Sequence, residues 1–509
     1  DNSTLPPQEA KQLTPFQGLF QYRPLRGRWF ISISFVSRSK KVISAAGVQY
    51  ISTAVYSAIK FFTVPFFLSY LGTELWGFRS FVTGLLDYAK YTELGIKSSI
   101  AAIIAKSNSN SIFENEALIK KIRAGAHIQI FSALIVIIGT LLIMTNLNSI
   151  VTEIHSTKLK MCEWYTLSVG ISLALIISSG VYSGILIGKQ QIAKNNLYNF
   201  INRLVTAGVG VGLVYLGFSL YGLAVATVIS SVILFVQLRV RSNRLGFRLN
   251  ILKGPLQYRE MPPVLKLSWW VLLGDLGNML GLHSAIVIIG IYPEFGMRAV
   301  TKWTLLLTLP SLIQQQLNRF ITFVRPGLTQ IYHSERERHK FRSLALIMLK
   351  GISLASSSFF ILSMAINGPF IIRWVGPEFY SGKVENFLVS MLFSLFVLRF
   401  GYTVLTQSTF EYKRTGVSIF ICGFCNCILS IVLVFYIGIK GPLVAAIITE
   451  ITIILPLLII PLLKYICRDR GIMRLLFNIY FIPSVALTCF AGFLFLLPYS
   501  AHSWGEIIL

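Results

Sequence analysis

The sequence predicts an all-α integral membrane protein: two six-helix bundles related by a pseudo-twofold axis, plus one extra carboxyl-terminal span. Three observations predict it. Only 13% of the residues are charged, 54% are apolar and the mean hydropathy is +0.68, far from a soluble average of about 25% charged. Apolar runs near the ~20 residues that cross a bilayer as a helix recur roughly thirteen times. Finally, a shift of 219 positions takes Trp76, Gly77 and Arg79 onto Phe295, Gly296 and Arg298, Lys121 and Arg123 onto Lys340 and Arg342, and Lys194 onto Lys413. It also takes Gly222, Val225 and Ala226 onto Gly441, Val444 and Ala445. An even number of spans separates equivalent points, so the halves share one orientation and their axis runs along the membrane normal.

In chain order, residues 1–41 are a basic leader around the run WFISISF, which is too short to span and is expected at the interface. Segments at 43–68, 75–105, 124–146, 162–187, 194–216 and 218–238 make a first bundle over 42–238. Those at 267–291, 295–324, 343–366, 386–409, 415–437 and 442–463 make a second over 267–466, after a basic cytoplasmic linker, 239–266. The stretch 474–498, within a tail of 467–509, is the thirteenth span. Loops on the leader's side, among them GKQQIAK, EYKR and KYICRDRGIMR, carry most of the Lys and Arg, so the amino terminus is expected in the cytoplasm of a cell (inner) membrane. The opposite connections are short and leave no room for an external domain.

A net charge of +26 would suit nucleic acid if it sat on a soluble face. Here it lies mainly between hydrophobic runs, so nucleic acid is excluded as a partner. Six cysteines do not make a disulfide framework, and Cys422, Cys425 and Cys427 lack the further ligand that a zinc site needs. No metal or cofactor is expected.

Charges inside the spans carry the functional signal. A charge at bilayer depth costs several kcal/mol by insertion scales and is kept where a helix faces a bundle interior or a wet cavity. The stretch from Glu74 to Lys106 holds Arg79, Asp87, Lys90, Glu93 and Lys97 and is expected to line such a cavity as one spanning helix. Lys60, Asp275, Arg298, Lys302, Arg319, Lys350 and Arg399 add to it. Cations outnumber anions, which favours an anionic cargo. Snorkelling to the interface competes with a lumen role for Arg79, Lys97 and Arg298, and depth is unsettled for Arg319 and Arg399. Lys60, Lys90 and Lys302 are placed towards the cavity, and His283 is expected to be a packing residue.

The segment FLSYLGTELWGFRSFVTGLLDYAKYTELGIKSSI resembles the first turn and second helix of Wzx-type polysaccharide flippases of the multidrug/oligosaccharidyl-lipid/polysaccharide (MOP) exporter superfamily. Leu71, Gly72, Trp76 and Gly77, then Glu93, Leu94 and Gly95, carry the match. IVIIGIYPEFGMRAVTKW is similar to the family's Gly-x-Tyr turn and following helix through Gly290, Tyr292, Ala299 and Lys302, with Pro326 ending that helix. The small-residue openings Gly222–Ser230 and Gly441–Thr449 are similar as well. The resemblance covers residues 42 to 466 at low identity, and the thirteenth span departs from it.

It implies a V-shaped pair of bundles that moves a polyprenyl-diphosphate-linked oligosaccharide to the outer leaflet by alternating access, with membrane lipids and other polysaccharide-assembly membrane proteins as partners. Lys60, Arg79, Lys90, Arg298 and Lys302 would hold the anionic headgroup. Asp87, Glu93, Asp275 and Glu450 would neutralise nearby cations, or one would bind a coupling proton or sodium ion. A peptidoglycan-precursor lipid flippase shares this pattern. A multidrug antiporter of the superfamily would want an acidic or aromatic cavity instead, and a membrane glycosyltransferase or ligase would need a catalytic group on a sizeable external loop.

Overall fold

Among the described residues every regular element is a helix. The computed structural model describes residues 28–93, 95–106, 116–151, 156–247, 269–292, 294–333, 338–409 and 411–467. Most of the leader, most of the linker and the thirteenth span lie outside them. The helices are α1 (Arg28–Asp87), α2 (Ile96–Lys106), α3 (Glu116–Thr145), α4 (Ser156–Gly188), α5 (Ile192–Leu213) and α6 (Ser219–Arg244). They continue with α7 (Trp269–Ile291), α8 (Gly296–His333), α9 (Arg338–Trp374), α10 (Lys383–Ser408) and α11 (Tyr412–Ile437). The last rod is α12 (Gly441–Thr449), a π-helical stretch (Glu450–Ile459) and α13 (Ile460–Cys467). Helix is already formed at Arg28, so the end of the leader, expected as a separate interfacial run, continues into the first span.

Among the described residues, seven helical stretches are long and apolar enough to cross a membrane. Three of them, Ile51–Lys90, Ile192–Arg244 and Tyr412–Leu463, hold 40, 53 and 52 residues, about twice one crossing. Each folds back on itself. At Gly72 (φ 77°, ψ 169°) α1 leaves helical geometry, and the rings of Phe67 and Trp76 then stack 5.9 Å apart, where a straight helix would separate them by about 13 Å. The other two reversals fall at Gly217 and Gly438. These turns define one end of the protein, called here the Gly72 end. The exposed face of α11, with Ile421, Phe424, Ile428, Ile431 and Phe435, is an apolar stripe at helical spacing, as a lipid-facing helix requires. The chain is a multi-pass membrane protein.

The repeat seen in the sequence has a structural counterpart. A Cβ on Gly222 would lie 2.8 Å from Leu213 Cβ and 3.1 Å from its carbonyl carbon, while one on the equivalent Gly441 would lie 2.5 Å from the Leu433 carbonyl carbon. In both halves the same glycine lets the last span start hard against the one before it. Helices α1–α6 pack mainly among themselves, as do α7–α13, and the main contacts between the groups set α1 against α7 and α8.

Small residues set the closest crossings, as expected where lipid removes the hydrophobic drive and backbone approach decides packing. In the second half, a Cβ on Gly423 would come within 1.9 Å of the Gly277 carbonyl oxygen, so α7 and α11 touch backbone to backbone. In the first half, Gly184 and Gly188 of α4 receive Ile100 and Ile104 of α2. Polar pairs add to this: Asn367 Nδ2 donates to Asn386 Oδ1 at 2.9 Å between α9 and α10.

The second span is not one continuous helix. It gives way to a 3-10 turn at Tyr88–Glu93 and resumes as α2 after Gly95 (φ 66°). Asp87, Lys90 and Lys97, expected on one spanning helix, are therefore divided among three elements: α1, the 3-10 turn and α2. The physical reason is local: Gly95 sits in the left-handed region that favours glycine.

Candidate functional site

The two halves are joined at the Gly72 end by equivalent helix starts. A Cβ on Gly77 would lie 1.9 Å from the Met297 carbonyl oxygen, so α1 and α8 cross there without any side chain between them. The Thr301 hydroxyl donates to the Thr73 carbonyl at 2.7 Å, and Arg298 donates to Glu74 at 3.0 Å. Lys158 of α4 stands 3.6 Å from the same carboxylate. The Arg298 hydrogen bond, helped by the charge of Lys158, holds the Glu74 carboxyl below its ordinary range against a smaller opposing effect of burial.

Such a pair is fully formed above the usual carboxylate pKa and is lost as pH falls through the lowered one. The distance between spin labels attached beside the joint on α1 and α8 is expected to hold from neutral pH down through the usual carboxylate range and to lengthen only as pH falls through the lowered Glu74 pKa. Because the Arg298 side chain is 73% exposed, Glu74→Gln should cost under about 1 kcal/mol of stability.

The other sequence-derived residues are spread along the depth of the protein. Arg79 is half-buried and lies over the Trp76 ring at 4.5 Å. Lys302, half-buried on α8, is six residues from Gly296, about 9 Å deeper. Lys60, half-buried, lies over the Tyr56 ring at 5.7 Å, about 18 Å from Gly72 along the helix. Lys90 is at the far end of the second span and pairs with Asp87 at 2.5 Å. His283 of α7, expected as a packing residue, is within electrostatic reach of both, and its Nδ1 is buried without a hydrogen-bond partner. The five cations do not converge on one point. Arg79 and Arg298 sit near the Gly72 end, while Lys60 and Lys90 lie progressively farther from it.

The carboxylates divide in the same way. Glu93 is held inside the first half, where Gln129 Nε2 donates to it at 3.4 Å and Gln129 Oε1 accepts from the Val181 amide at 2.7 Å. Glu450 is buried in the second half and pairs with Arg399 at 2.5 Å. Arg399 also donates to Asn278 at 2.9 Å and lies over Phe396 at 4.6 Å. A small cavity lined by Gly277, Asn278, Gly281, Arg399, Asn426 and Glu450 adjoins this pair. Asp275 is exposed on α7.

Two residues of these clusters escaped the sequence reasoning. Glu74 was only the first residue of the charged stretch that runs to Lys106; its partner is 224 positions away, beyond any local pattern. Arg203 gave a usable signal, since it is a lone cation within the apolar fifth span. It stands over Tyr56 at 5.1 Å, on the ring that Lys60 also approaches.

A helical membrane body whose two groups of helices meet on α1, α7 and α8 is similar in fold to several solved structures. The lipid II flippase MurJ in an inward closed conformation is similar with a TM-score of 0.59 at 12% identity, over 91% of this chain and 99% of that one. A multidrug resistance MATE family transporter of the MOP superfamily, in an inward-facing conformation, is similar with a TM-score of 0.56 at 12% identity, over 88% and 99%. A MOP superfamily transporter from Pyrococcus furiosus gives 0.53 at 13% identity, over 88% and 94%. These solved structures are transporters and a flippase rather than enzymes, and at such identity the likeness is one of fold. No curated protein matches the chain. The sequence model of the polysaccharide biosynthesis protein family matches residues 115–381, just over half of the chain, which therefore belongs to that family.

Proposed function

We propose that this protein is a Wzx-type flippase that carries a polyprenyl-diphosphate-linked oligosaccharide from the cytoplasmic to the outer leaflet. The observation that carries the proposal is the joint between the halves: α1 and α8 bear Lys60, Arg79, Arg298 and Lys302 and are also the helices on which the halves meet. A rigid-body rocking of 42–238 against 267–466 about that joint would change the surroundings of these cations together. A diphosphate offers them charge-assisted hydrogen bonds that neither lipid tails nor an organic cation can supply. Lys90 serves the same headgroup at the far end of the cleft. That end, opposite Gly72, carries the basic turns around Lys189, Arg244 and Lys413 and is assigned to the cytoplasm, with the amino terminus.

The carboxylates support a narrower choice of coupling group. Asp87 and Glu450 have cationic partners at 2.5 Å and Glu93 has Gln129, which suits charge neutralisation and packing. Asp275 is left as the group to bind a coupling proton or sodium ion.

The test is export of a lipid-linked glycan in a strain lacking its own exporter. Substituting Lys60, Lys90 and Lys302 singly by alanine is expected to reduce export about ten-fold or more for at least one, with the protein still inserted. Full export by all three variants would remove the assignment of these cations. Export of cationic dyes in place of the glycan would replace the cargo.

A further inference from the structure

We propose that Lys60, Arg203 and Arg319 form a phosphate-binding cradle on one face of α1, with Tyr56 as its floor, and that this site has no counterpart on the equivalent helix α7. The inference rests on the flippase reading above and deepens it, adding two cations and an address within the fold. Thr53, Tyr56 and Lys60 are spaced three and four apart and so share one stripe of α1. Arg203 of α5 stands over the Tyr56 ring at 5.1 Å and Lys60 over the same ring at 5.7 Å. From the other half, Arg319 of α8 donates to the Thr53 hydroxyl. Three helices and both halves thus deliver cations to about two turns of one helix. Among the described residues, Lys60 and Arg203 have no carboxylate within ion-pair distance.

Two cations gathered on one ring within a membrane-spanning body repel each other, and the ring's quadrupole offsets this only in part. An anion with several acceptor oxygens is the natural complement, and arginine's planar fork matches phosphate oxygens in pairs. Buried polar atoms without partners, Ser57 Oγ, Asn202 Oδ1 and Asn318 Oδ1, lie next in sequence to Tyr56, Arg203 and Arg319.

Among the described residues, the second half has no such place. Under the 219-residue shift, Lys60 becomes Met279, Tyr56 becomes Asp275 and Arg203 becomes Cys422. The corresponding crossing of α7 and α11 is closed by Gly277 against Gly423. An anion held between Arg203 and Arg319 would compete with Thr53 for the Arg319 guanidinium and so tie α5 to α8 across the two halves. Binding would then bias the relative position of the halves, as differential contact with two states must.

The experiment uses the full-length protein in lipid nanodiscs and three probes: farnesyl diphosphate, farnesol and inorganic pyrophosphate. The wild type is expected to bind farnesyl diphosphate more tightly than the other two. Arg203→Ala and Arg319→Ala should each weaken it about ten-fold or more, and Arg203→Lys should retain most of the affinity. Melting temperatures of the variants separate lost contacts from lost folding, and Arg203→Gln replaces any alanine variant that fails to fold. Unchanged affinity in both arginine variants, with the wild type binding, overturns the cradle and leaves the flippase reading standing. A wild type that binds farnesyl diphosphate no better than farnesol overturns both. Pyrophosphate binding as tight as farnesyl diphosphate, lost in the same variants, overturns the lipid headgroup as the ligand.

Discussion

Arg399→Ala destabilises this protein by about 3–5 kcal/mol, the expected cost of stranding one member of a buried ion pair. Its partner Glu450 keeps 4% of its side chain exposed and Arg399 14%, so little water can replace the lost guanidinium. Asn278 and the face of Phe396 lose a partner at the same time, which places the effect at the upper part of that range. Glu450→Gln should cost less, since the amide oxygen can still accept from Arg399 at nearly the same geometry. The paired replacement Arg399→Met with Glu450→Leu should recover most of the loss, because two apolar groups of similar volume leave no buried charge behind. Thermal unfolding in detergent of the wild type, Arg399→Met, Glu450→Leu and the paired variant, treated as a double-mutant cycle, measures the coupling. A coupling near zero would mean that the two groups are independently solvated and that the second half is not held together there.

Gly77→Val is expected to abolish export while leaving insertion and both bundles intact. The new Cβ would meet the Met297 carbonyl oxygen at 1.9 Å and the Thr301 hydroxyl at 2.8 Å. Backbone cannot yield as the tip of a flexible side chain can, so α1 and α8 must move apart and the joint at the Gly72 end cannot form. The damage falls on the contact between halves, because the atoms it meets belong to the other half. Gly139→Ala is the matched control, since nothing lies within 4 Å of its Cβ position. Cross-linking between cysteines at Thr73 and Thr301 should disappear in the valine variant and persist in the control. Export should fall more than about ten-fold in the first and stay within about two-fold in the second. Retained cross-linking in Gly77→Val would show that the two helices do not need this crossing.

Much of the architecture was legible in the residues alone. The membrane class follows from local properties: an apolar run of the right length spans wherever it occurs, and a glycine such as Gly222 or Gly441 lets the helix after it start hard against the one before. The break in the second span was also written locally, at Gly95, but the apolar run through it hid the signal.

The site was a different matter. That Lys60, Arg79, Lys90, Asp87 and Glu450 are costly in lipid could be stated from position along the chain, and Tyr56, Trp76 and the Lys90–Asp87 pair supply partners within one turn, whereas other pairs join distant segments. Glu74 finds Arg298 across 224 positions and Arg399 finds Glu450 across 51, and no periodicity encodes either meeting. Insertion depends on what each segment is made of. Which charges neutralise one another depends on how the helices pack, and small residues such as Gly77, Gly277 and Gly423 set that packing.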